Sequence, residues 1–487
     1  MDSLKLQNYR CFENTGWINL KSINLLVGAN SSGKSSILKF FPLLKQSEGV
    51  KLHGVFKWFG KDVDFKDFHN TVQDGKNEIT VDYSINDLIL FQRFSRQRKG
   101  AQDVSVSFKI SAVDCHFDMV KNINISYLGT DIRIGYTVNQ EASVYVNGVR
   151  SDGFPGLKLE WTLIDATFPR ILFKYKNEGQ SLFCNFLYKK IINESISLGG
   201  QFRDNPKSLF FDRYPSSFEN FKKGLYGIVG REIEESKVSN LYTLCILYNI
   251  NQLIDSLNLH LISLSSRIVY IKPIRATIER YYRFQNIDLD DIDADGNNLP
   301  MFLYNLDKGK LEKYNDWLQE LFNFKIQIKS SEGHIELLVA EKGKAVRNMV
   351  DLGFGYTQIL PILTVIWKNI FLETGLSSRV FGSKNEYIIV IEQPELHLHP
   401  HIQGKFAKML SLILSKGLNV KFIIETHSET ILNKLGVYIE KGLLKKENVN
   451  VLMIEQNDKG VSIIRQTEYT EEGYLQDWPR NFMDDVD

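Results

Sequence analysis

Residues 23–37 read INLLVGANSSGKSSI. A short apolar run ends in a glycine. The next eight residues, Gly28-Ala-Asn30-Ser31-Ser32-Gly33-Lys34-Ser35, match the phosphate-loop pattern G-x-x-x-x-G-K-[ST] at every fixed position, and Ser36 follows. Each position has a physical reason. Glycines let the backbone wrap so that successive N–H groups point inward at phosphate oxygens. The following helix N-terminus adds partial positive charge. Lys34 is expected to reach the β- and γ-phosphates, and the Ser35 hydroxyl to sit on Mg²⁺. The context agrees: residues 18–27 read as a strand and residues 35–44 as a helix. The loop implies that the chain binds a nucleoside triphosphate.

A phosphate loop needs a carboxylate for the metal and a means of polarising water. Residues 386–395, EYIIVIEQPE, form an apolar strand that ends in acid. Such a strand delivers its last residue to the carboxyl edge of an open α/β sheet, where ligands bind. Glu392 is therefore the expected outer-shell partner of the magnesium ion. Residues 421–428, KFIIETHS, form a second such strand, and His427 is placed to sense or polarise the γ-phosphate.

Around these pieces the chain is ordinary in composition. Of its 487 residues 43% are hydrophobic and 24% charged, and the net charge of +1 argues against a wholesale basic nucleic-acid binder. This length predicts more than one domain. The four cysteines, Cys11, Cys115, Cys184 and Cys245, are dispersed without a C-x-x-C and read as reduced core thiols. No apolar run reaches the ~18 residues of a membrane span, and no signal-peptide pattern opens the sequence. A cytoplasmic location without membrane contact is the expectation.

Three parts follow from the changes in character. Residues 1–150 hold the phosphate loop and, from 78 to 146, alternating β-branched stretches that predict an antiparallel layer. Residues 151–323 read as a mainly helical insertion, with 239–268 apolar enough for buried helix. Residues 324–487 begin with a hairpin around Ser331-Glu332-Gly333. A helix near 357, the two acid-ending strands and a last alternating stretch come next. The expected fold class is α/β: a P-loop head with a mixed sheet, an antiparallel layer and a helical insertion.

The order of these segments resembles that of ABC-type ATPases of the SMC/RecF/OLD group. NYRCFEN followed by INLLVGANSSGKSSIL is similar to their opening, and DLGFGYTQILPIL, residues 351–363, to their signature segment. VIEQPELHLHP resembles their Walker B and D-loop, and ETHSETIL their histidine switch. The closing YLQDWPRNFMDD resembles the C-terminal cap of one branch of prokaryotic ATPases, the branch that also favours EQPE. The resemblance covers residues 1–75 and 345–487. It implies ATP and Mg²⁺ as cofactors and a head-to-tail dimer, with each ATP between the loop of one copy and the signature of the other. Here that signature would be Gly353, Gly355, Thr357 and Gln358. Gly353 replaces the usual serine, and Thr357 is the candidate hydroxyl. Gln393 stands where many relatives carry the water-activating glutamate. Glutamine orients water but accepts no proton from it, so slow hydrolysis is expected, or help from Glu395.

Some clusters have competing readings. His397-Leu-His399-Pro-His401 has the spacing of metal ligands, but the resemblance makes it the D-loop. Arg93, Arg96, Arg98 and Lys99, and the segment from Ile271 to Arg283, set cations near one another or beside aromatics. Nucleic-acid contact competes there with a solvated loop and with helix surface packing. Relatives in Gabija, Septu, PARIS and retron-linked systems imply an antiphage role. Only about 60 residues follow His427, too few for a TOPRIM nuclease, so any nuclease effector is expected to be a separate protein. The alternative is a RecF- or SMC-like repair or chromosome-maintenance ATPase that binds DNA directly.

Overall fold

The computed structural model describes residues 1–48, 54–88, 102–113, 118–150, 157–162, 167–175, 180–198, 217–273, 279–283, 292–293, 296–331, 333–352, 354–372 and 386–478. The expectations placed on Arg93, Arg96, Arg98, Lys99, Cys115, Arg275, Glu332, Gly353 and the end of the closing segment past 478 lie outside them. Two compact units result. One comprises residues 1–18 and 46–266, the other 19–45 and 267–487. A division at 150 and 323 follows changes in sequence character. The compact units are cut elsewhere, because the phosphate-loop segment is hydrogen-bonded into a sheet built by the C-terminal half.

The first unit is built on an antiparallel sheet. Its strands run in the order Val149–Arg150, Ala142–Val146, Thr130–Tyr136, Asp118–Tyr127, Gln102–Ala112, Glu78–Leu88, Ser3–Tyr9, Phe12–Asn14. Burial alternates along them, as in Thr130–Tyr136 with Thr130, Ile132, Ile134 and Tyr136 inward. That is the period-2 pattern of a sheet covered on one face. Asp118 is buried beneath a loop: it accepts from the Val55 N–H at 3.3 Å and the Trp58 indole at 3.2 Å. Burial pushes its carboxyl up to about 6 against these hydrogen bonds.

The part expected to be mainly helical also contains a hairpin, Leu157–Thr162 with Arg170–Tyr175. Its helices are Gln180–Ser197, Phe218–Val229 and the 31-residue Glu235–Ser265. The long helix covers the hairpin edge with side chains spaced along one face. Asn251 exchanges two hydrogen bonds with the Ile171 backbone, Asn258 two with the Phe168 backbone, and Asp255 pairs with Arg170 at 2.7 Å. Amide side chains thus serve as a substitute strand for an edge that would otherwise be open.

The second unit carries the nucleotide sheet. Its strand order is Ile268–Ile271, Tyr387–Glu392, Val420–Glu425, Ile23–Val27, Val449–Gln456, Ser462–Thr467. The first five are parallel and the last is antiparallel. The three central strands are buried at every position, as parallel strands covered on both faces must be. Each buried Ile or Leu contributes roughly 1.5–3 kcal/mol. Ile268–Ile271 belongs to this sheet, so the head resumes at 268 rather than at 324. The reading of helix surface over 271–283 is corrected at both ends, residues 274–278 lying outside the described ones: Ile271 ends a strand, and Tyr282–Arg283 pairs with the strand His334–Glu341.

Helices Lys308–Phe322, Phe354–Trp367, Pro400–Ser415 and Glu429–Glu440 contribute to one apolar core with the nucleotide sheet. The hairpin expected near 331–333 is present, Phe324–Ser331 with His334–Glu341. The helix expected over 35–44 is instead two pieces, Lys34–Leu38 and Phe40–Gln46. Pro42 has no N–H to offer the Leu38 carbonyl, and its ring crowds that carbonyl. Among the described residues, no helix is long and apolar enough to cross a membrane.

Candidate nucleotide site

The loop after Ile23–Val27 turns through positive φ at Gly28 (143°), Ser31 (62°) and Gly33 (110°). Gly28 must be glycine. A Cβ there would stand 2.1 Å from the Ile454 carbonyl oxygen. Behind the loop, Gln456 Nε2 donates to the Ser31 carbonyl at 3.2 Å and Ser462 Oγ to the Ser32 carbonyl at 2.6 Å. With those carbonyls held by the neighbouring strands, the loop is an anion nest backed by a helix N-terminus. Ala29, Asn30 and Ser31 are exposed at its rim, Ser36 is half-buried in the helix, and Ser32 is buried with no hydrogen-bond partner for its hydroxyl.

Lys34 is 3% exposed and folds back on the loop, donating to the carbonyls of Gly28 at 3.0 Å and Ala29 at 2.6 Å. Burial holds its pKa below the usual lysine range, against the pull of Glu425 and Glu395. A buried cation resting on backbone carbonyls inside an anion nest fits a triphosphate.

The carboxyl edge of the sheet supplies the rest. Tyr387–Glu392 and Val420–Glu425 run parallel in register, with Glu392 opposite Glu425 at their ends. The phosphate-loop strand lies on the far side of Val420–Glu425, so Glu425, not Glu392, is on its nearest neighbour. Ser35 donates to both Glu425 oxygens, at 3.0 and 2.8 Å. One turn further along, Lys39 reaches Glu392 Oε1 at 3.3 Å. Tyr270, on the edge strand, donates to Glu392 Oε2 at 2.5 Å. Burial raises the Glu425 pKa, and the Glu392 charge adds to that rise while Ser35 opposes it. Hydroxyl and carboxylate oxygens are hard donors suited to Mg²⁺. Ser35 and Glu392 are the residues that would hold one.

The turn after Glu392 is under strain. Gln393 has φ of 44° while its N–H bonds the Glu425 carbonyl at 2.9 Å. For a non-glycine residue this conformation costs on the order of 1–2 kcal/mol. Glu395 is not placed to serve as a free base. One oxygen accepts from Thr426 Oγ1 at 2.8 Å and the other from the His427 N–H at 2.7 Å. It ties the acid turn to the histidine turn. Burial lowers the His427 pKa, and the Lys34 charge lowers it further. Ser428 then caps the next helix through the Ile431 N–H.

Two further expectations change. Helix Phe354–Trp367 starts three residues before 357. Thr357 and Gln358 are therefore inside it and only 4% and 5% exposed, so the Thr357 hydroxyl is not a surface group in this copy. Gly355 is half-buried, with open space where a Cβ would stand. In the histidine cluster, His399 Nδ1 accepts from the His401 N–H at 3.2 Å and caps helix Pro400–Ser415. Among the described residues, no group of three or more His, Cys, Asp or Glu side chains is arranged to hold a metal ion. Glu425 and Tyr270 were missed by sequence reasoning. The signal for Glu425 was present, since KFIIE ends in acid just as YIIVIE does.

Fold and site together define a P-loop ATPase head with a mixed sheet, an antiparallel layer and helical insertions. The model of the AAA ATPase domain family matches residues 1–432, and the chain belongs to that family. It is accordingly an ATP-binding, ATP-hydrolysing enzyme. No curated protein matches the chain. Among solved structures, it is similar to the SMC head domain from Thermotoga maritima at 11% identity and a TM-score of 0.35, covering 95% of this chain and 97% of that one. It is also similar to the Smc head domain with an extended coiled coil from Pyrococcus furiosus, solved bound to the C-terminal domain of ScpA. The figures there are 9% identity and a TM-score of 0.33, with 96% of each chain covered. At these scores the likeness carries no argument about activity.

Proposed function

We propose that this ATPase is a nucleotide-operated clamp. Two copies close head to tail around MgATP, and closure acts directly on DNA in repair or chromosome maintenance. The observation that carries this reading is the make-up of the second unit. The phosphate loop, the two strand-end carboxylates and His427 share one sheet edge. The same unit presents the N-terminal end of helix Phe354–Trp367, with open space over Gly355. A helix start suits the γ-phosphate of an ATP held by a second copy. Lys34 would bind phosphate, and Ser35 with Glu392 would hold Mg²⁺. His427 would meet the γ-phosphate, and Gln393 would orient water without taking its proton, so turnover would be slow. Such an enzyme dwells in the closed state. ATP turnover of the purified chain with and without duplex DNA tests the reading. Stimulation by DNA supports it, and a rate indifferent to DNA speaks against direct action.

A narrower reading makes closure the signal that licenses a separate nuclease effector in antiphage defence. The support for it is the EQPE segment, Glu392 to Glu395, together with the resemblance of the closing residues. Purification from the native operon tests it: a nuclease recovered in an ATP-dependent complex favours it, and a chain recovered alone does not.

A further inference from the structure

We propose that Glu425 is a second metal-site carboxylate of this enzyme, receiving the divalent cation together with Ser35, so that the charge expected on Glu392 alone is shared by a pair. The inference rests on the reading of Ser35 as a cation ligand.

Three observations support it. First, the Ser35 hydroxyl is directed at Glu425: it bonds both carboxylate oxygens, at 3.0 and 2.8 Å. Second, Glu392 is engaged differently, by the Lys39 ammonium on one oxygen and the Tyr270 hydroxyl on the other. Those groups orient Glu392 and offset part of its charge. Third, strand order places Glu425 between the phosphate-loop strand and the acid strand, in register with Glu392. Two buried carboxylates on adjacent strands repel each other, and a dication between them and the phosphates removes that repulsion. Lys34 and Lys39 carry the compensating charge in its place. A strand-end residue two positions before the histidine is thus part of the cation site.

The test uses the full chain with Mn²⁺ as the cation and ADP as the nucleotide. Metal affinity is read from the free-Mn²⁺ electron paramagnetic resonance signal, and nucleotide affinity is measured separately in excess EDTA. Glu425→Gln should leave metal-free ADP affinity within about twofold and weaken Mn²⁺ binding to the ADP complex about tenfold to a hundredfold. Unchanged Mn²⁺ affinity in folded Glu425→Gln, with Glu392→Gln alone losing the metal, overturns the proposal. If glutamine is not tolerated, Glu425→Asp carries the same test by withdrawing the carboxylate by one methylene. Weakened Mn²⁺ binding supports the assignment and unchanged binding overturns it. Failure of the nucleotide site itself is distinguishable, because the wild-type chain would then bind no ADP in either condition.

Discussion

The Ser35 hydroxyl and the Glu425 carboxylate are joined by hydrogen bonds of 3.0 and 2.8 Å. That contact links the phosphate loop to the strand carrying the histidine turn, and Lys39 one turn on links the same helix to the acid strand. The phosphate loop, the two strand-end carboxylates and the histidine turn therefore lie along one sheet edge.

Lys34 is buried and held by two loop carbonyls. Lys34→Ala removes the charge-assisted contact to phosphate. ATP affinity, measured by fluorescent-nucleotide titration, should fall about tenfold or more. Unchanged affinity would remove the loop from the nucleotide site.

Two glycines should behave oppositely. Gly28→Ala drives a Cβ into the Ile454 carbonyl at a φ of 143°, and a loss of roughly 1–3 kcal/mol in stability is expected. Gly355 faces open space, so Gly355→Ala should leave the melting curve within about 0.5 kcal/mol of the parent. Thermal denaturation of both variants checks the pair.

Gln393 and Glu395 separate orientation from proton transfer. Gln393→Glu should raise single-turnover hydrolysis, since a carboxylate can take the proton that an amide cannot. Glu395→Ala should lower turnover while nucleotide affinity holds, because it releases Thr426 and the His427 backbone. A Gln393→Glu enzyme no faster than the parent would place the base elsewhere.

Asp118 gives a pH signature in the first unit. Burial raises its pKa to about 6, so the folded state favours the neutral acid. Its contribution is fully present below the unfolded value near 3.9 and is lost as pH rises through about 6, a change of up to about 3 kcal/mol. Asp118→Asn should therefore gain stability relative to the parent between pH 4 and 6. A difference in melting temperature that is flat with pH would contradict the assignment.

Much of this architecture was legible in the sequence. Continuous apolar runs ending in polar residues marked the strands of the site, and alternation marked the antiparallel layer. The acid at the end of KFIIE was legible, but its place next to the phosphate-loop strand was not, because adjacency of parallel strands has no local signal. Ile268–Ile271 is four residues long and follows a 31-residue helix closely, so it read as helix. The break near Lys39 was readable from Pro42. The burial of Thr357 depends on the Phe354–Trp367 helix beginning earlier than its apolar pattern suggested.

The central claim is ATP-driven closure of two copies, and the most direct measurement is molar mass by light scattering on the Lys34→Ala and wild-type chains. The wild-type chain with Mg²⁺ and a slowly hydrolysed ATP analogue should double in mass relative to its nucleotide-free form, and Lys34→Ala should not. A wild-type mass unchanged at saturating nucleotide would contradict the account.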